Sequence, residues 1–166
     1  LYRVSLVGGL GLALVPPSLG GAQALLRRFQ ERAAARVPLF SAQRQAELVL
    51  SQSTLAETAV ELDMVEGLMY RYADEVTARG ASGEAFDTTD RTRLYAWRAV
   101  IARRAREANF RLTELAGASA IFENEPLQRY WRDVHAMGQH VALNYESALR
   151  NYGRSLLGLT PDAVLY

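Results

Sequence analysis

The sequence predicts an all-α protein, an antiparallel up-down four-helix bundle, and three observations predict it. Leu48, Leu55, Leu62, Met69 and Val76 recur every seven residues, with Ala59 and Ala73 at the complementary seam positions. Heptads sustained over that length call for long helices packed side by side. No stretch alternates apolar and polar residues as a half-buried strand does. The connections between periodic stretches are short, which sets successive helices antiparallel.

Composition bounds the rest. At 166 residues the chain is the size of one domain and long enough to bury a core. Hydrophobic residues make up 49% and charged residues 22%, ordinary for a globular protein. With 19 basic residues, all arginine, against 18 acidic ones, there is no electrostatic case for nucleic acid. The absence of cysteine excludes disulfides, thiolate metal sites and cysteine nucleophiles. The apolar run from Val4 to Val15 has no basic leader or framed cleavage site and is too short to span a bilayer. It reads as a buried helix at a domain junction, and no membrane partner is expected. Residues 1–166 are therefore expected to be the C-terminal part of a longer protein.

The first helix should run from residue 2 to about 35, interrupted near Pro16-Pro17 and Gly20-Gly21. Leu25, Leu26 and Phe29 continue its apolar face. Arg36-Val37-Pro38-Leu39-Phe40 is a connector, and Ser41 is placed to cap a second helix over about 42–79. Val65, Leu68 and Tyr72 widen that helix's buried stripe, and Gly80 and Gly83 end it. Asp87, Thr88 and Thr89 offer caps for a third helix that reaches about Leu115. Its apolar positions include Leu94, Trp97, Ile101, Ala105, Ala108 and Leu112. Its arginines, Arg91, Arg93, Arg98, Arg103, Arg104 and Arg106, read as a solvated face or a subunit contact. The fourth segment starts at Pro126, which suits a first helical turn, breaks near Gly138 and continues towards Leu157. Leu127, Tyr130, Trp131, Val134 and Met137 share one of its faces.

That segment holds both histidines, His135 and His140. Five residues apart, they point about 140° apart on a continuous helix and do not converge on one ion. The Glu-x-x-His pairs of di-iron bundles are missing, so no metal is expected. Glu123 and Glu125 read as solvated loop residues. There is no Gly-x-Ser-x-Gly elbow, and no phosphate-cradling glycine loop follows a strand. His140, beside a helix discontinuity, is either a proton-handling group or a buried structural histidine. The residues alone leave both open.

Gly117-Ala118-Ser119-Ala120-Ile121-Phe122 and, four residues on, Leu127-Gln128-Arg129-Tyr130-Trp131-Arg132-Asp133 resemble the last helices of the acyl-CoA dehydrogenase superfamily. The long helix ending in Gly80 and the stretch from Gly20 to Leu26 resemble the same C-terminal helical domain, so the likeness covers essentially the whole chain. In the short-chain dehydrogenases of that superfamily a glutamate removes the proton alpha to the thioester. Counted from Arg132-Asp133, its place falls on Val141, which cannot be a base.

His140, nine residues after Trp131, is instead similar to the histidine beside the flavin in the two-component flavin-dependent monooxygenases. This resemblance implies His140 as the catalytic residue, with His135 structural or pocket-lining. It implies reduced flavin, FMN rather than FAD, supplied by a separate flavin reductase, with O2 and an aromatic or other small organic substrate. It also implies flavin contacts at Arg36, Gly117, Ala118 and Trp131, the glycine turn reaching the flavin from a neighbouring subunit. After Arg36, Val-Pro-Leu-Phe departs from the family's usual Phe-Gly. A cytoplasmic homotetramer is the implied assembly. Two alternatives stand beside this one: an acyl-CoA dehydrogenase with its base on another helix, and a non-catalytic helical oligomerisation module.

Overall fold

A computed structural model describes residues 6–162, and among them every regular element is helical. The helices are α1 (Leu6–Ala13), α2 (Val15–Ala35), α3 (Val49–Ser82), α4 (Thr88–Ala116), α5 (Pro126–Met137) and α6 (Tyr145–Leu156). Short 3-10 turns lie at Gln45–Glu47, Ala118–Ile121 and Val141–Leu143. Helix α4 is the mast: α2, α3, α5 and α6 all pack against it. One core cluster joins Val15, Leu19 and Ala22 to Leu62, Val65, Ile101, Ala105 and Val134. A second joins Leu25 and Phe29 to Leu112, Ala116, Ala120 and Leu127.

The start of α4 follows directly from its sequence. Asp87 is the N-cap, its carboxylate accepting the Asp90 amide at 2.7 Å, while the Asp90 carboxylate reaches back to the Asp87 amide. Two otherwise unpaired donors are satisfied by this exchange.

Several boundaries differ from expectation. The first helical stretch breaks at Leu14, ahead of the prolines. Pro16 and Pro17 then occupy the first turn of α2, where the missing N–H groups have no partner to lose. Gly20 and Gly21 remain helical. A Cβ on Gly21 would stand 2.5 Å from Val134 Cγ2, so this glycine is a notch that lets α5 approach α2. Helix α3 begins at Val49, not near 42, and the Ser41 hydroxyl accepts the Gln43 amide in the preceding turn instead of capping it. Gly80 is helical too, and Gly83, with φ 76°, makes the left-handed stop. The fourth segment breaks where expected: α5 ends at Met137, before Gly138, and α6 follows the turn at 141–143.

On α3 the buried stripe is Thr58, Leu62, Val65, Tyr72 and Val76, while the seam residues Leu48, Leu55 and Met69 are only half-buried. Val49, Leu50, Val60, Met64 and Tyr70 are exposed, which leaves α3 more apolar surface than this chain covers. The helical stretch Gly8–Ala35 is long and apolar enough to cross a membrane. Leu19, Ala22, Leu25 and Phe29 within it are buried in the protein core. The arginines of α4 are also not one solvated face. Arg98 is only 1% exposed.

Candidate functional site

Helix α4 presents Ala102, Arg103, Arg106, Phe110, Thr113 and, beyond its end, Gly117, at spacings of one to four that keep them on one side. Three adjoining hollows follow that side, between α4 and the α5–α6 stretch. The first, about 290 Å³, is lined by Gly117, Ala118, Phe110, Thr113 and Trp131. The second, about 390 Å³, shares Phe110 and adds Arg103, Arg106, Arg111 and His135. The third, about 290 Å³, shares Arg103 and Arg106 and is closed by Gly138, His140, Asn144 and Tyr145. The row therefore runs from an aromatic end at Trp131 to an imidazole end at His140.

The glycine turn at the aromatic end is built from beneath. Gly117 has φ 79°, a backbone that favours glycine. A Cβ there would also lie 3.2 Å from Arg36 Nη2. Arg36 donates to the Ala116 carbonyl, and Gln45 Nε2 donates to the Leu115 carbonyl at 2.6 Å. Together they satisfy the orphan carbonyls at the α4 C-terminus and place a positive charge on its negative end. Arg32 reinforces the same corner by donating to Ser119 Oγ at 2.6 Å and Glu125 Oε2 at 2.5 Å. Glu125 is thus a paired residue and not the solvated one expected.

At the other end α5 stops at Met137. Gly138 donates its amide to the Val134 carbonyl at 3.1 Å, and the chain turns extended at His140. His140 caps the next turn: its Nδ1 accepts the Ala142 amide at 3.1 Å. In the neutral ring the hydrogen is therefore on Nε2. His135 is arranged the opposite way. Its Nδ1 lies 2.8 Å from the Trp131 carbonyl, which can only accept, so Nδ1 carries the hydrogen. Its ring also lies against Trp131, centroids 4.6 Å apart.

Charge in the middle of the row is uneven. Arg103 Nε donates to Glu107 at 2.6 Å. Burial alone pushes the Glu107 carboxyl up, but hydrogen bonds and attraction from Arg103 and Arg104 outweigh it and hold the group below the usual carboxylate range. Arg106, by contrast, has no carboxylate partner among the described residues.

Of the residues predicted for the site, Gly117, Ala118 and Trp131 meet in one hollow. His140 lines the far one, and Arg36 sits behind the glycine turn, where it shapes the site without lining it. Arg103, Arg106 and Phe110 were missed. Their helical spacing was visible in the sequence, but a run of arginines does not reveal which of them face inward.

A family model described as acyl-CoA dehydrogenase, C-terminal domain, matches residues 12–145. The chain belongs to this family. Its similarity lies with a particular branch. The oxygenase component of p-hydroxyphenylacetate 3-hydroxylase from Acinetobacter baumannii is 26% identical over 89% of this chain and 35% of its own length. The oxygenase component of an FADH2-dependent resorcinol hydroxylase from a Rhizobium species is 27% identical over 97% of this chain and 41% of its own length. The structure of XiaF from a Streptomyces species, in complex with FADH2 and glycerol, superposes with a TM-score of 0.94 at 27% identity, covering 99% of this chain and 42% of XiaF. The chain thus spans less than half the length of these relatives.

A flavin is an aromatic tricycle with an anionic phosphate tail. The row offers a tryptophan face, a glycine turn without side-chain bulk and an arginine lacking an acidic partner, so the donor set fits such a group.

Proposed function

We propose that this chain is the C-terminal helical domain of a longer flavin-dependent monooxygenase, the oxygenase component that receives reduced flavin from a separate reductase. The observation that carries this reading is His140, which lines the hollow with its Nδ1 engaged by the Ala142 amide, so that Nε2 carries the hydrogen of the neutral ring. A neutral imidazole so held is a hydrogen-bond donor and proton carrier near neutral pH. Bound reduced flavin supplies the electrons that activate O2. The protein's part is to bind, orient and exclude water. His140 Nε2–H holds or delivers a proton to oxygen at its end of the row, Arg106 offers charge to an anionic group, and Trp131 with the Gly117–Ala118 turn offers an aromatic and backbone surface at the other end. Val141, at the place of the dehydrogenase base, has no proton to exchange.

The names of two relatives specify FADH2, which favours FAD over the FMN expected from sequence. The substrate class is a phenolic or other small aromatic molecule, in keeping with the hydroxylases this chain resembles. In the assembled enzyme α2, α3, α4 and the α5–α6 pair form the four columns of a bundle. The exposed apolar side of α3 is covered in a cytoplasmic homotetramer.

The test uses the full-length protein with a flavin reductase, NADH, either flavin, isotopically labelled O2 and a panel of phenols. One labelled oxygen atom should enter the product, and only when the reductase is present. No incorporation, together with reduction of bound flavin by an acyl-CoA, would move the protein to the dehydrogenases.

A further inference from the structure

We infer that Arg98 and Tyr95 are positioning residues that fix the tautomer and direction of His140 by gripping the turn from which it hangs. The inference takes its catalytic meaning from the reading above, but its geometry stands apart from it. Arg98 and Tyr95 lie three residues apart on α4 and are 1% and 0% exposed. Arg98 Nε donates to the Ala142 carbonyl at 2.8 Å. The Tyr95 hydroxyl donates to the Val141 carbonyl at 3.4 Å. The Arg98 guanidinium also lies over the Tyr95 ring, 4.5 Å from its centroid, so the two side chains brace each other.

The decisive point is covalent. The Val141 carbonyl and the Ala142 amide belong to one planar peptide unit. Tyr95 holds the oxygen edge of that plane, and Arg98 holds the carbonyl that follows it. The N–H on the opposite edge is the one that donates to His140 Nδ1 at 3.1 Å. Rotation of this peptide would withdraw the donor and free Nδ1 to take the hydrogen. With the plane fixed, Nδ1 is an acceptor and Nε2 the donor. Leu143, 3% exposed, anchors the far side of the turn in the core.

A buried guanidinium is costly unless its donors are satisfied, and a hydrophobic residue would fill this site at no such cost. Glycine at position 11 of α1 makes the room, since any Cβ there would collide with the Arg98 side chain. The fold thus accommodates a buried cation that donates to the His140 turn.

The experiment is magic-angle-spinning NMR of protein labelled with 15N-histidine, His140 being assigned by the signal lost in His140→Gln. Wild type should show the Nε2–H pattern for His140 and the Nδ1–H pattern for His135. Tyr95→Phe, which keeps the buried ring, and Arg98→Lys, which keeps the charge, should each turn the His140 signal into a tautomer mixture and leave His135 unchanged. In the full-length enzyme, product formed per reduced flavin should fall roughly tenfold in both, the scale of losing a partner that orients a histidine, with substrate KM unaltered. An unchanged His140 tautomer in folded Tyr95→Phe overturns the inference, whether or not Arg98→Lys folds. A shifted tautomer with unchanged coupling upholds the clamp and overturns the catalytic role of His140 instead.

Discussion

His135 and His140 border the same row of hollows, yet the segments that carry them are held by different forces. Helix α5, with His135, is held by packing. Leu127 and Val134 are fully buried, Val134 sits in the notch of Gly21, and the Trp131 ring lies tilted against the histidine itself. The turn with His140 contributes one core side chain, Leu143, and is otherwise tied by hydrogen bonds to Tyr95 and Arg98 of α4. Packing fixes which face of a helix looks inward, but it does not distinguish one ring nitrogen from the other. A polar tie to a rigid helix does, which is the demand a proton-handling residue makes.

The largest stability effect should come from the packed segment. Val134→Ala removes two methyl groups from the main core cluster and should cost about 2–3 kcal/mol in urea unfolding. Hydrogen exchange should show α5 amides opening while the Leu143 amide, bonded to the His140 carbonyl at 2.8 Å, keeps its protection. Equal loss of protection in both segments would mean that α5 and the His140 turn are held by the same packing.

Gly21→Ala probes the packing of α5 from the other side. The added methyl meets Val134 Cγ2 and should cost about 1–3 kcal/mol. Combined with Val134→Ala it should cost less than the sum, because the second change vacates the space the first requires. Strict additivity in the double mutant would contradict the notch.

Asn144→Ala should cost about 1 kcal/mol, since Asn144 Oδ1 accepts the Ser147 amide at 2.9 Å as the N-cap of α6. The histidines should cost no more than this. His135→Ala loses the Trp131 contact and the helical hydrogen bond, worth about 1 kcal/mol together. His140→Ala, at an exposed position, loses the side-chain cap on the Ala142 amide and should cost about 0.5 kcal/mol. Thermal melts of both variants check the order, and a reversed order would mean His140 is the structural residue of the two.

The helices were largely legible because periodicity and caps are local signals: Asp87 and Pro126 each mark a start that the structure keeps. The break at Leu14 was not, because two prolines read as a breaker also serve as a first turn. Gly20 and Gly21 read as an interruption, and only the approach of Val134 shows why glycine is at position 21. The α3 heptad named the right helix and part of its buried stripe, Leu62 and Val76 with Val65 and Tyr72 beside them; Leu48, Leu55 and Met69 are only half-buried, since nothing in the period says how much is covered by the same chain. Within the site, Gly138 announced the discontinuity before His140. The clamp escaped notice because Arg98 looks like every other arginine of α4 until its burial is known.

His140, not His135, is the residue proposed to handle the proton in oxygen chemistry. This assignment is tested most directly by measuring product formed per reduced flavin consumed in full-length His140→Ala beside His135→Ala. His140→Ala should fold and accept reduced flavin but lose about 10²-fold or more in productive oxygenation, with hydrogen peroxide released instead. His135→Ala should remain within a few-fold of wild type. Unchanged coupling in His140→Ala, or a loss confined to His135→Ala, would contradict it.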